Sequence, residues 1–408
     1  MKPEHPSRRC FLKASGAAAA LHAMPGVQVL RSAHAQSAPR TLIAIHLNGG
    51  NDTLNTVVPW ADPRYYTARG PIALDRNQVL RLDDRRALHP ALTGIKALWD
   101  RQRVAIVHGV GYPNFDFSHF QAMEIYWTAD PRRSTLNGWL GRALDTVPAS
   151  AAAPLDPLIG ATIGWGGSPS LIARTFTAPL LPPNAEWFRL PSRGTAQQEA
   201  LKRILLQPAT TTNLFYDAFL RNGRAAIQAY DTVAAAGTRT TPVVYPDNHF
   251  ARGLKFAAQL LREDDAVRII AMEQGSYDTH ENQLPQQQAW LAELSAGVKA
   301  FSDDVDANGL SNRVLILLWS EFSRRVEPNA QNGTDHGSAQ AMILIGNGVR
   351  AGIVGNPPSL APADLIEDGN LPMAVDFRNL YAAVLDRWLG IDSKAVLGGT
   401  YPHVPVLL

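Results

Sequence analysis

The sequence predicts an α/β protein whose mostly parallel central sheet carries helices on both faces. Short aliphatic runs recur along the chain, and each ends in small or polar residues. Apolar stripes at helical spacing lie between those runs. Strands buried on both faces and separated by amphipathic helices leave few other architectures.

The first strand is Thr41 to Leu47, a continuous apolar run that stops at Asn48-Gly49-Gly50-Asn51-Asp52. A buried strand entering a tight polar turn reads this way. Arg103 to His108, Val267 to Met272, Arg313 to Trp319 and Ala341 to Ile345 repeat the pattern. Helices are predicted where Leu254, Ala257, Ala258 and Leu261 share a face, and again at Trp290, Leu291, Leu294, Val298 and Phe301. A third stripe joins Leu380, Tyr381, Val384, Leu385 and Trp388. The stretch from about 170 to 250 is less regular, with prolines at 179, 182 and 183 and a helical segment near 213–236, and reads as an insertion or cap. Residues 36–408 are otherwise expected to form a single domain.

The N-terminus has its own logic. Ser7-Arg8-Arg9-Cys10-Phe11-Leu12-Lys13 precedes a weakly apolar run and the small-x-small exit Ala33-His34-Ala35. That order of charge, apolar stretch and cleavage site predicts a twin-arginine signal over residues 1–35, the translocase as export partner, and a periplasmic or secreted mature chain. Gly16, His22, Pro25 and Gly26 interrupt the run, so no stable membrane span is expected. The one cysteine, Cys10, falls inside the signal, leaving no thiolate for a disulfide or a metal. Cleavage also removes Lys2, Arg8, Arg9, Lys13, Arg31 and Glu4, turning the formal charge of +2 to near −2. No basic face for nucleic acid is indicated.

In parallel sheets, ligands bind beyond the carboxyl ends of the strands, and the polar residues of this chain cluster there. Asn48, Asn51 and Asp52 follow the first run; Tyr112, Asp116, Ser118 and His119 follow the second; Tyr277-Asp278-Thr279-His280-Glu281 follow Met272. Ser320-Glu321-Phe322-Ser323-Arg324-Arg325 follow Trp319, and Gly333-Thr334-Asp335-His336-Gly337 precede the last run. Asp278, His280 and His336 are the oxygen and nitrogen set that suits zinc or a similar divalent ion. Each histidine alone reads equally as a loop residue bonded to backbone, and Ser118 equally as a helix cap. Arg324 and Arg325 have the fork geometry that holds phosphate, sulfate or carboxylate. No Gly-x-Ser-x-Gly elbow and no phosphate loop occur.

Taken together, Leu47-Asn-Gly-Gly-Asn-Asp-Thr-Leu-Asn-Thr-Val-Val-Pro59, Phe117-Ser-His-Phe120, Gly275-Ser-Tyr-Asp-Thr-His280, Ser320-Glu-Phe322 and Gly333-Thr-Asp-His-Gly337 resemble the exported domain-of-unknown-function family 1501. That family looks like a distant relative of the alkaline phosphatase and sulfatase superfamily. The resemblance implies that Asp278 and His280 match one metal-binding pair, that His336 matches the last histidine, and that Glu321 and Phe322 stand where an Asp-His pair would be. A second metal position would thus have lost an imidazole. It further implies Asp52 as a metal ligand, with Asn48 and Asn51 nearby, Ser118 as the nucleophile and Arg324 as a grip on the anion. Gly167-Ser168-Pro169-Ser170-Leu171 lacks the arginine and oxidisable residue of a sulfatase signature. The expected function is a metal-dependent hydrolase of small anionic phosphate or sulfate esters. The alternative is a catalytically inactive sulfatase-like binding or assembly protein.

Overall fold

A computed structural model of the chain describes residues 39–148, 155–184, 195–206, 214–367 and 369–408. The expected signal at 1–35 lies outside the described residues, as do 185–194 and 207–213 of the expected cap.

Nine strands make one sheet: β1 (Thr41–Leu47), β2 (Val104–Gly111), β3 (Gly160–Ile163), β4 (Leu180–Leu181), β5 (Ile269–Gln274), β6 (Val314–Trp319), β7 (Gln340–Ile345), β8 (Gly352–Val354) and β9 (Val375–Asp376). Their order is β8-β2-β7-β6-β1-β5-β3-β4, with β9 also paired to β2. β1 lies at the centre, parallel to both β5 and β6. The exception is β7, antiparallel to β2 and β6. Its reversed direction puts its N-terminal end on the same rim as the C-terminal ends of β1, β5 and β6. His336, just before β7, is thereby delivered to the rim where the other polar loops emerge.

Alternation along β1 divides the core into two layers. Leu42 and Ala44 pack on one side with Tyr126, Trp139, Phe377 and Tyr381. Ile43, Ile45 and Leu47 pack on the other with Leu254, Phe256, Leu291 and Phe301. Helix α1 (His119–Thr128) therefore covers the first face, while α2 (Leu214–Gly237), α3 (His249–Glu263) and α4 (Gln283–Ala307) cover the second. The predicted stripes on α3 and α4 are buried except at Trp290, which is partly buried.

The stretch expected as a cap is partly integral to the sheet. Leu180–Leu181 pairs with β3 as an edge strand, and α2 sends Ala229, Val233 and Ala236 into the second layer. Prolines on both sides of the leucine pair confine it to an edge, because proline donates nothing to a sheet ladder. No helix among the described residues is long and apolar enough to cross a membrane.

Candidate metal centre

The rim is tied together at the turn after β1. Gly49 and Gly50 take φ of +108° and +74°, conformations that side chains rarely adopt. Space imposes the same choice. A Cβ on Gly49 would lie 2.5 Å from Asp278 N, and one on Gly50 would lie 2.3 Å from Phe322 Cε2. The turn can thus press against the loops after β5 and β6, where Tyr277 N donates to Asn48 O at 2.8 Å and Gly49 N donates to Glu321 Oε1 at 2.9 Å.

Four side chains converge beside this turn. Asp278 Oδ1 lies 3.0 Å from His280 Nε2, 3.2 Å from His336 Nε2 and 3.4 Å from His119 Nε2. The Nε2 atoms of His280 and His336 are 2.9 Å apart. The opposite nitrogen of each ring faces an oxygen that can only accept. His119 Nδ1 donates to Glu321 Oε1 at 2.7 Å, His336 Nδ1 to Phe117 O at 2.6 Å, and His280 Nδ1 to Asp335 Oδ1 at 3.2 Å. Protons on Nδ1 leave each neutral ring with a lone pair on Nε2. Three lone pairs and a carboxylate oxygen therefore face one another.

Such an arrangement is repulsive by itself and is what a cation requires. The ligand atoms of His119, Asp278 and His336 all lie within 4.8 Å of one another, a spacing that small rotamer changes would close around one divalent ion, and His280 Nε2 adjoins that group at Asp278 and His336. Among the described residues, His119 Nε2 is buried without a hydrogen-bond partner, an unmet need that a metal would meet. Oxygen acceptors behind ligating imidazoles, fixing tautomer and orientation, are the usual outer arrangement at metal sites. The donor set of one carboxylate and three imidazoles fits a divalent ion such as zinc.

Charge is arranged to match. Partial burial would raise the Asp278 carboxyl, but the Arg324 guanidinium, 2.7 Å away, outweighs burial and holds it down to about 2. Burial, reinforced by the Arg324 charge, lowers the His336 ring below its ordinary range and keeps it neutral near pH 7. For Glu321, burial favours the neutral acid. Hydrogen bonds from His119 and His46 override it and hold the carboxyl well below the usual carboxylate range.

The structure brings Asp278, His280 and His336 together and distributes the other predicted residues differently. Asp52 is not in the cluster: it caps the short helix Thr53–Thr56, pairs with buried Arg69 at 2.5 Å and accepts from Gln283 Nε2 at 2.5 Å. Its carboxylate is consumed by that network. Glu321 stands behind the cluster, accepting from His119 and, at 3.0 Å, from His46. Arg324 is 1 % exposed and donates to Gly49 O, Gly50 O, Tyr277 O, Thr334 O and Asp278. It positions Asp278 and knits the loops, and is not placed to grip an incoming anion. Ser118 sits at the N-terminal cap position of α1, its amide held by Asp116 Oδ1 at 2.6 Å, and its hydroxyl does not cap the helix. Phe322 packs its ring 4.8 Å from that of His119 and 4.7 Å from that of His336.

Sequence reasoning left His119 and His46 without roles. The signal for His119 was its place in the Phe117–Phe120 motif; for His46, it was a lone imidazole in an otherwise apolar strand.

Residues 106–399 match the sequence family described as "Protein of unknown function (DUF1501)". No curated protein matches the chain. Among solved structures, the PsFucS1 sulfatase from Pseudoalteromonas sp. aligns with 99% of this chain and 76% of its own, at 11% identity and a TM-score of 0.40. The phosphonate monoester hydrolase of Agrobacterium radiobacter aligns with 88% of this chain and 78% of its own, at 10% identity and a TM-score of 0.36. The C-terminal periplasmic domain of EcEptC from Escherichia coli, solved in complex with Zn, aligns with 76% of this chain and 73% of its own, at 10% identity and a TM-score of 0.33.

Proposed function

The chain belongs to the DUF1501 family, and we propose that it is an exported metal-dependent hydrolase of phosphate or sulfate esters. One observation carries the reading: the ligand atoms of His119, Asp278 and His336 lie within 4.8 Å of one another, His280 Nε2 adjoins Asp278 and His336, and every Nδ1 is committed to an oxygen behind it. His119, His280, His336 and Asp278 would hold the ion. When bound, a divalent ion supplies Lewis acidity and positive charge where an anionic ester gathers negative charge.

The chain's own residues do the rest. Arg324 fixes the Asp278 carboxylate and keeps it ionised. Glu321 orients His119, and Phe117 O orients His336. Ser118 lies in sequence between Phe117 and His119 and is the nucleophile in this reading. Phe322 covers one side of the cluster with an apolar ring that supplies no ligand, so a single ion is proposed.

A second reading, an inactive sulfatase-like binding or assembly protein, is favoured by the commitment of Arg324 to backbone carbonyls. Turnover separates the two. Mature protein reconstituted with zinc, manganese or magnesium should hydrolyse at least one member of a panel of aryl and alkyl phosphates and sulfates. Stoichiometric metal with no turnover on any ester would leave the binding-protein reading in its place. Export rests on Arg8-Arg9 and the residues after them, and is part of the proposal.

A further inference from the structure

We propose that the cavity on the far side of His46 from this centre binds a small molecule bearing a substituted ammonium group. The proposal goes beyond the hydrolase reading and does not need a metal. The cavity, of about 620 Å³, lies at the C-terminal ends of β3 and β5 and against the start of α3. Its volume is in the usual range for small-molecule sites, and its place at the strand ends is where α/β proteins bind ligands.

The sign of the lining decides what can enter. Asp247, Glu273 and Glu293 face the cavity, against the single guanidinium of Arg252 among the described residues. Arg252 is already paired with Asp247. Glu273 is bonded by Asn48 Nδ2 at 2.8 Å and has His46 Nδ1 at 3.7 Å, too far for a hydrogen bond. Glu293 has His249 as its charged neighbour in the lining, and burial pushes its carboxyl up despite Gln274 and His249 beside it. Three carboxylates against one paired guanidinium and the imidazoles of His46 and His249 leave the lining with an excess of acidic groups, which favours a cation over a phosphate or sulfate.

Aromatic walls complete the site. Trp127, Trp165 and Trp290 all line the cavity. Trp290 and Glu293 are three residues apart on α4, so the indole and the carboxylate stand on the same helix face. Indole faces beside carboxylates attract alkylated ammonium ions through the ring quadrupole and through charge, without the strong hydration that holds a small inorganic cation in water. At the inner end, His46 is 4 % exposed and stacks on Trp319 with ring centroids 4.1 Å apart. Its Nδ1 is buried there without a hydrogen-bond partner among the described residues.

The test compares shape with charge. Choline, its uncharged isostere 3,3-dimethylbutan-1-ol, and glucose are titrated calorimetrically into full-length mature protein, both stripped of metal and zinc-loaded. Choline should bind in both states, with the isostere at least tenfold weaker. Glu293→Gln and Trp290→Leu should each weaken choline at least tenfold in protein whose circular dichroism and melting are those of wild type. If either variant misfolds, the choline-to-isostere ratio on wild type decides alone. Equal binding of choline and isostere, preference for glucose, or no choline binding would each overturn the proposal. Failure of the metal reading would instead show as absent metal uptake with choline binding intact.

Discussion

His280 and His336 meet Nε2 to Nε2 at 2.9 Å, while their Nδ1 atoms turn away to Asp335 Oδ1 and Phe117 O. A proton shared between the two Nε2 atoms would make one ring an imidazolium, which burial and the Arg324 charge disfavour at His336. A cation between them relieves the contact.

Removing one of these imidazoles should therefore cost metal and not fold. His119→Ala and His336→Ala should each lower zinc affinity by at least about tenfold, and Glu321→Gln, behind His119, by about 10- to 100-fold. Competition with a chromophoric chelator reads the affinity, and melting curves of metal-free protein serve as control. Wild-type zinc affinity in both alanine variants would remove the cluster from consideration as a metal centre.

Asp52 predicts the reverse pattern. Its carboxylate is fully buried against Arg69, two of whose nitrogens have no hydrogen-bond partner among the described residues. Asp52→Ala strands a buried guanidinium, and breaking such a pair costs about 3–5 kcal/mol. Chemical denaturation should show a loss of that order, with folded Asp52→Asn still taking up metal. Loss of metal with unchanged stability in both variants would return Asp52 to the ligand set.

How much of this was legible beforehand depended on how local the cause was. The apolar runs read directly as strands because burial on both faces leaves a continuous aliphatic signature, as at Thr41–Leu47. Nothing in Gln340–Ile345 encodes that it runs antiparallel, since period and composition are blind to direction. Leu180–Leu181 is too short to show any period. Asp278, His280 and His336 stood out because two motifs set them at the ends of strands. An Asp before Thr-Leu-Asn reads as well for a helix cap as for a ligand, and the arginine that claims it arrives only seventeen residues later. His119 became visible only when the turn at Gly49-Gly50 brought the loops into contact.

Stability should begin to fall with acid below about pH 6.5, where a buried neutral histidine favours the unfolded chain. His108 is buried in β2 with neither ring nitrogen hydrogen-bonded among the described residues, and burial, with Arg86 nearby, pushes its pKa down to about 4. The unfolded chain, with an ordinary histidine pKa of about 6.5, binds the proton first, so stability rises with pH between about 4 and 6.5 and is lost as pH falls through that window. The loss from His108 approaches about 3 kcal/mol at the bottom of the window. His108→Leu should flatten the dependence of melting temperature on pH from 7 to 4. The carboxylate of Asp278, held down at about 2, adds a separate loss only at lower pH. An unchanged slope in the variant would mean that His108 is protonated in the fold.

Changing Arg8 and Arg9 together to Lys should trap precursor in the cytoplasm, because the export receptor reads planar guanidinium pairs and an ammonium lacks that fork. Cell fractionation reads the outcome. Normal periplasmic amounts of mature-sized double variant would mean that another signal directs the chain.

Ser118 tests the chemistry itself. Its backbone is bracketed by two parts of the cluster: Phe117 O holds His336, and His119 supplies a ligand atom. The residue caps the N-terminus of α1, where unpaired amides and the helix dipole favour negative charge, and its hydroxyl is not spent on the cap. An anionic ester drawn to that end would meet the end of the helix that carries the hydroxyl. Ser118→Ala should then lower turnover of an aryl ester by about 10³-fold or more while zinc content and melting temperature stay at wild-type values. The supports of His336 and His119 are a backbone carbonyl and Glu321, which the substitution does not touch. Wild-type turnover in Ser118→Ala would exclude the hydroxyl as nucleophile and leave attack by water as the route for the same centre.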